Sequence, residues 1–521
     1  MTVSGVLRRG EYYDSVTMML IAKRVGAVAG VADSAVVMGT PGNKSMLASS
    51  GLMTPELAPA ADTDLVVAFR LNGAVPLQDV RAGIDGVFRE LRSSKNAGSV
   101  TAQSLEGAIG ILPGANFALI SVAGAYAAPV AMDALRRGLH VMLFSDNVPV
   151  SREISLKTFA RDSGLFVMGP DCGTAIIGGV PLGFANVVSR GPVGIVAASG
   201  TGLQEVSSLI SNAGSGISQA IGTGGRDVKK EVGGIMFLEG MKALAADPAT
   251  AVLLLVAKPP DEEVVKKIVA AARGTEKPVV AVILGASPEM FAGSGIRQTS
   301  TLEEAALFAA AFARGEDPSA VADRLQKRNM EIARRAAGET AGLAPSQKYL
   351  RGLFSGGTFC DEAQLICSAL PGGVCSNVPF GVSRRLKDHS KSEAHTVIDF
   401  GDDEFTVGRP HPMIDYTTRN ERILREAEDP ACAVLLLDIV LGYGSNPDPL
   451  AGILPVIGDA RSAAVRSGRR LPVVCSVTGT DRDPQNRSAV AGALQAEGVL
   501  VMESNAAACR LAAGIAARKG K

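Results

Sequence analysis

At 521 residues the chain exceeds one ordinary domain, and its length fits two to four. Its 52 basic and 52 acidic residues cancel, and no basic stripe with interleaved aromatics occurs, so neither nucleic acid nor an anionic membrane surface is an expected partner. Seven cysteines, odd in number and without CxxC spacing, argue against a disulfide framework or a zinc site and for a reducing, cytoplasmic setting.

With 59 Gly, no Trp and few aromatics, the core must be built from Ala, Val, Leu and Ile, which suits helices layered on parallel sheets. The opening MTVSGVLRRGEYYDSV lacks the apolar stretch of a signal peptide. Apolar runs such as AVLLLVA are strand-length, well below the roughly 20 residues of a membrane span.

Along the chain, DLVVAFRL, FALISVAG and HVMLFSD read as buried parallel strands separated by helical stretches such as APVAMDALRRGL. Residues 38–44, MGTPGNK, are too short for a Walker A loop and lack its Ser/Thr, so a surface turn is expected, with an anion loop as the alternative. Residues 169–175, GPDCGTA, read as a tight turn; Cys172 has no local base to make it a nucleophile.

A Gly/Pro break near Ser189 starts a new strand, VGIVAAS, which leads into ASGTGLQEV. Then follow AVLLLVAKP and KPVVAVILG, and a charged, Ala-rich helical connector between about Asp317 and Gln347. Beyond it, FSGGTFCDEAQLI, VIDFGDDEFTVGRPHP, EDPACAVLLLDIVLG and RLPVVCSVTGT repeat, in order, four blocks that precede the connector. Four matching blocks argue for duplication, pairing Gly200 with Gly357, Thr201 with Thr358 and Glu205 with Glu362. GVLVMES supplies a last strand. The class is α/β with open, doubly wound parallel sheets.

The paired turns carry the chemistry. A strand-to-helix turn with Gly lets backbone N–H groups approach an anion, which the helix dipole favours. Ser199, Gly200, Thr201, Gly202, Gly356, Gly357 and Thr358 are the candidate phosphate-binding residues. An ordinary helix cap explains either turn alone. Glu205 and Glu362, in the first two turns, either complement the dipole or handle protons, and the residues leave both readings open. Of four histidines, His140 reads as structural, His389 and His395 as members of a solvated loop, and His411, between prolines, as a candidate substrate contact. No metal-ligand cluster emerges.

These residues resemble the succinyl-CoA synthetase (NDP-forming acyl-CoA ligase) superfamily. ALISVAGAYAAPVAMDALRRGLHVMLFSDNVP and FVMGPDCGTAI are similar to the later part of its CoA-binding domain, GPVGIVAASGTGLQEV to a first ligase domain, and AVLLLDIVLGYGSNPDP to the closing one. The resemblance implies a Rossmann-like CoA-binding-type domain over residues 1–188 and flavodoxin-like ligase domains over 189–335 and 345–521. It also implies two helix N-termini aimed at one phosphate, and a CoA contact, functional or vestigial, at Gly124, Ala125 and Tyr126.

The stretch from MGPDCGTAIIGG to AIGTGGRD more closely resembles the FdrA family. That resemblance implies a carbamoyltransferase subunit of anaerobic allantoin breakdown, exchanging oxalurate and phosphate for oxamate and carbamoyl phosphate in a complex with other subunits. Two features depart from the ligases: no histidine lies between His140 and His389, where their phosphorylated histidine belongs, and no ATP-grasp segment separates the connector from the closing domain. The alternatives are a CoA-dependent acyl-CoA ligase and a non-catalytic, anion-binding scaffold.

Overall fold

The computed structural model describes residues 2–517 except 12, 14, 96–101, 103, 288, 407 and 408. Part of the N-terminal stretch read for a signal peptide (Met1, Tyr12, Asp14), Pro288 after KPVVAVILG, and Val407 and Gly408 of the repeated block before His411 thus lie outside the described residues. Two compact units result: Met1–Phe166 with Asp403–His411, and Val167–Asp402 with Pro412–Lys521.

The first unit departs from the expected Rossmann-like domain over 1–188. Strands Val3–Arg8, Leu65–Leu71 and Val31–Met38 form an antiparallel sheet with Leu65–Leu71 in the centre. Its alternation fills two cores. Leu65, Val67 and Phe69 pack with Ile21, Val25, Ile84 and Phe88 from helices Ser15–Gly26 and Leu77–Lys95. Val66 and Ala68 pack on the other face with Leu47, Leu52 and Leu57. A strand buried on both faces reads as an unbroken apolar run whichever way its neighbours point, so DLVVAFRL looked parallel. A parallel pair, Phe117–Ile120 with His140–Leu143, follows, with helix Gly124–Arg136 between its strands.

The second unit holds two sheets of related order. In the first, Arg190–Ala197 lies between Ile217–Gly222 and Val252–Ala257, with Val279–Ile283 and Arg297–Thr299 beyond, all parallel. The antiparallel hairpin Thr174–Ile177 and Val180–Gly183 extends its other edge, so a boundary at residue 188 would cut this sheet. In the second, Tyr349–Phe354 lies between His395–Asp399 and Cys432–Val440, with Val473–Thr478 and Leu500–Met502 beyond. The order about each central strand is the same, as duplicated blocks require. Strands Val374–Ser376 and Arg384–Arg385 extend the second sheet beyond His395–Asp399, where the first copy has its antiparallel hairpin.

The connector forms helix Pro318–Thr340, capped by Asp317 and packed on helix Asn505–Ala516, where Gly514 leaves room for Ala336. No helix among the described residues is long and apolar enough to cross a membrane.

Candidate functional site

In each sheet of the second unit the central strand has neighbours on both sides that connect in opposite directions. The crevice beyond its carboxyl end is where open α/β sheets bind ligands. Helix Gly200–Asn212 opens at the end of Arg190–Ala197, and helix Gly357–Cys367 at the end of Tyr349–Phe354. The two openings meet. Ser199 Oγ lies 2.6 Å from Thr358 Oγ1, and the Thr358 N–H donates to Thr201 Oγ1 at 3.3 Å.

Ser199 also caps its own helix, accepting the Gly202 N–H at 3.2 Å. The N–H groups of Gly200, Thr201 and Gly357 have no intrahelical acceptor by helix geometry, and Gly200 is exposed. Two positive dipole ends placed together favour a shared negative charge. The glycines serve different needs. A Cβ on Gly356 would stand 2.7 Å from the Phe359 ring, and one on Gly357 2.8 Å from Asp399 Oδ2, whereas one on Gly200 would meet only Thr174 Oγ1 at 3.6 Å.

The second turn is held from behind. Asp438 accepts the Ser355 N–H at 2.8 Å, the Gly356 N–H at 2.9 Å and the Ser355 hydroxyl at 2.9 Å, and pairs with the fully buried Arg419 at 3.0 Å.

Glu205 and Glu362 do not face this opening. Glu205 accepts the Asn505 N–H at 2.9 Å and the Thr478 hydroxyl at 2.5 Å. Glu362 accepts the Leu302 N–H at 2.8 Å and the Asn505 side-chain amide at 2.8 Å. Each carboxyl thus closes the first turn of a helix in the other copy, and both are buried. Burial pushes the Glu205 carboxyl up and that of Glu362 up to about 7. Both carboxyls thus link one copy to a helix start in the other, away from the opening between Ser199 and Thr358.

His411 belongs to the first compact unit, while the paired helices belong to the second. Its segment is tied there by Arg409, whose guanidinium reaches Asp33 at 3.0 Å, and burial lowers its imidazole to about 4. Gly124, Ala125 and Tyr126 also lie in the first unit, opening helix Gly124–Arg136, which has no side-chain cap. Gly124 is dictated by packing, since a Cβ would come 2.1 Å from the Asp146 carbonyl; Tyr126 is exposed and donates to Asp62 at 3.2 Å.

Cys172 is a buried thiol directed at the Thr174 and Gly222 carbonyls. Residues 38–44, expected as a turn, instead join the strand end Met38 to helix Pro41–Ser49, where Lys44 donates to the Ala60 carbonyl at 2.8 Å. His140 accepts the Phe166 N–H. His395, read as part of a solvated loop, instead starts a strand, where it is buried and accepts the Leu350 N–H at 3.1 Å.

Three residues at the opening escaped the sequence reading: Lys258, Asp361 and Asp399. Lys258 and Asp399 stand at the carboxyl ends of apolar strands, and a charged residue at that position was the available signal. Lys258 pairs with Asp361 at 2.5 Å. Beyond Phe380, whose ring packs on Gly285, a cavity of 940 Å³ is lined by Gly285, Arg297, Ser300, Asn329 and Leu365. It does not include the meeting helix ends, and its Arg297 is already stacked on Phe308 at 4.1 Å. The converging polar groups, rather than this cavity, mark the candidate site.

The paired sheets with helices opening at their switch points are those of a CoA-ligase-type α/β protein, and family matches agree. The CoA binding domain matches residues 188–285 and the CoA-ligase family residues 353–515, while the AllF, heavy metal-associated domain matches residues 1–104. The CoA binding match therefore falls on the segment read from sequence as the first ligase domain.

The chain is 40% identical over 507 residues, 97% of both lengths, to the uncharacterized protein YahF of Escherichia coli (strain K12), and it belongs to that family. It is 31% identical over 181 residues to the mitochondrial succinate–CoA ligase [ADP-forming] subunit alpha-2 of Trichomonas vaginalis, matching 33% of this chain and 57% of that subunit. Among solved structures, the dinucleotide forming acetyl-coenzyme A synthetase 1 of Ca. Korarchaeum cryptofilum, in complex with phosphate and ADP, aligns at 15% identity and a TM-score of 0.34 over 82% of this chain and 90% of that one.

Residues 1–104 contain neither Cys nor His, and no group of three or more His, Cys, Asp or Glu side chains suited to a metal occurs among the described residues. The N-terminal segment therefore offers no thiolate or imidazole donor for a metal.

Proposed function

We propose that the chain is an FdrA-type subunit of a cytoplasmic carbamoyltransferase, exchanging oxalurate and phosphate for oxamate and carbamoyl phosphate within a complex of other subunits. The observation that carries this reading is the 2.6 Å approach of Ser199 and Thr358, which brings two helix N-termini to one place suited to a dianion. The absence of histidine between His140 and His389 supports it, because a phosphate cradle without a phosphohistidine relay suits direct use of carbamoyl phosphate. The AllF match at the N-terminus is consistent with allantoin breakdown, and the buried thiols, which form no disulfide among the described residues, with a reducing compartment. Such a transfer depends on stabilising charge at the phosphate.

A second reading, an NDP-forming acyl-CoA ligase-like protein that still binds CoA, is favoured by the CoA binding and CoA-ligase matches. To separate the two, the chain should be purified with its natural partners and given oxamate and carbamoyl phosphate, with and without CoA. Release of phosphate with formation of oxalurate, independent of CoA, supports the first. Thioester formation that requires CoA and a nucleotide, without carbamoyl transfer, replaces it with the second. Phosphate binding with neither reaction would leave a scaffold.

A further inference from the structure

Lys258, Asp361 and Asp399 come from three elements and both copies. Lys258 follows strand Val252–Ala257, Asp399 ends strand His395–Asp399, and Asp361 sits early in helix Gly357–Cys367. The Asp361 side chain is 3% exposed and that of Lys258 is 40% exposed, so a buried carboxylate holds an ammonium at the mouth of the cleft. The Lys258 ammonium also lies 5.8 Å from the centre of the Phe380 ring.

Asp399 is held firmly. Asn377 clamps its backbone, accepting the Asp399 N–H at 2.9 Å and donating to its carbonyl at 3.0 Å. Its Oδ1 accepts the Gly401 N–H at 2.8 Å, and its Oδ2 reaches the first residue of the Gly357 helix, where only a residue without Cβ fits.

This arrangement separates two tasks. Burial opposes the charge on Lys258, but the Asp361 carboxylate beside it holds it positive. Burial pushes Asp399 up to about 7; Asp361 and Asp402 add to the rise, while the Gly401 N–H and Lys258 oppose it. A phosphate dianion at the same helix end would repel an ionised Asp399, favouring its protonated form still more.

We propose that Lys258 is the cation that binds phosphate beside the Gly357 helix and that Asp399 carries the proton exchanged in carbamoyl transfer, with Asp361 positioning Lys258. The proton role rests on the carbamoyltransferase reading; the phosphate contact does not. An oxygen of hydrogen phosphate adds to the terminal carbamoyl carbon of oxalurate, and the bond from that carbon to the oxamate nitrogen breaks. Protonated Asp399 gives its proton to the leaving nitrogen, and the resulting carboxylate takes the proton of the phosphate hydroxyl. One C–O bond replaces one C–N bond, one proton moves, and no oxidant or further reactant is needed.

The test uses the full chain for binding of inorganic phosphate, by calorimetry or ³¹P NMR, and the assembled complex for turnover across pH. Lys258→Met should weaken phosphate binding on the order of tenfold or more, and Lys258→Arg should restore most of it. Asp399→Asn should bind phosphate at least as well as the native chain, lose about 10²–10⁴-fold in turnover, and lose the fall in rate above pH 7. Native phosphate binding in Lys258→Met, or a native rate and pH profile in Asp399→Asn, overturns the corresponding assignment. If the native complex transfers no carbamoyl group while Lys258→Met abolishes phosphate binding, the function fails and the Lys258 contact stands. If transfer occurs and neither variant differs from native, the function stands and this inference fails.

Discussion

Glu205 and Glu362 meet at one residue: Asn505 donates its backbone N–H to Glu205 at 2.9 Å and its side-chain amide to Glu362 at 2.8 Å. One asparagine thus couples the two copies' equivalent carboxyls at the start of a buried helix. Asn505→Ala leaves a Glu362 oxygen without its donor in a dry site, and should cost about 1–3 kcal/mol in urea unfolding. An unchanged unfolding midpoint would show that the carboxyls are not what locks the copies.

Glu362 also predicts a pH dependence of stability. Its folded pKa, about 7, lies above the ordinary 4.5, so the folded chain holds a proton that the unfolded chain releases between these values. Its contribution is therefore complete below about 4.5 and disappears as pH rises through about 7. Glu362→Gln should flatten the decline in unfolding free energy between pH 5 and pH 7 relative to the native chain. An identical slope in the variant would refute the assignment.

The glycines at the two turns should behave differently. Gly200→Ala meets only Thr174 at 3.6 Å, so the thermal midpoint should hold while phosphate binding weakens, because the methyl stands on an exposed first turn. Gly357→Ala presses on Asp399 at 2.8 Å and should lower the midpoint. Adding Asp399→Ala should relieve part of that loss, giving a non-additive double-mutant cycle. Strict additivity would place the strain elsewhere.

Asp438 and Arg419 form a fully buried pair that fixes the Ser355–Gly356 turn. Replacing Arg419 with Leu leaves a buried carboxylate without its cation, and a loss of roughly 3–5 kcal/mol is expected by denaturant titration. A change below about 1 kcal/mol would mean that the backbone donors alone suffice.

No phosphohistidine should form. With no histidine between His140 and His389, incubation with labelled ATP or GTP should leave no acid-labile label on the chain. Stoichiometric label would restore the ligase reading.

The sequence by itself determined the α/β class, the duplicated blocks and the two Gly-containing turns, because these depend on local periodicity and on glycines at strand-to-helix junctions. It did not reveal that DLVVAFRL is the centre of an antiparallel sheet, since burial on both faces erases the alternation that would distinguish it. Nor did it separate the roles of Glu205 and Glu362 from that of Asp399. Glu205 and Glu362 stand early in helices and Asp399 at a strand end, but only pairing between distant segments shows that the first two are tied to helix starts in the other copy. Glu205 reaches a donor 300 positions away, and Lys258 meets Asp361 across the join of the two copies. Those contacts exist only once both sheets are formed and packed, so the tertiary structure alone decides which polar groups are structural and which remain at the opening.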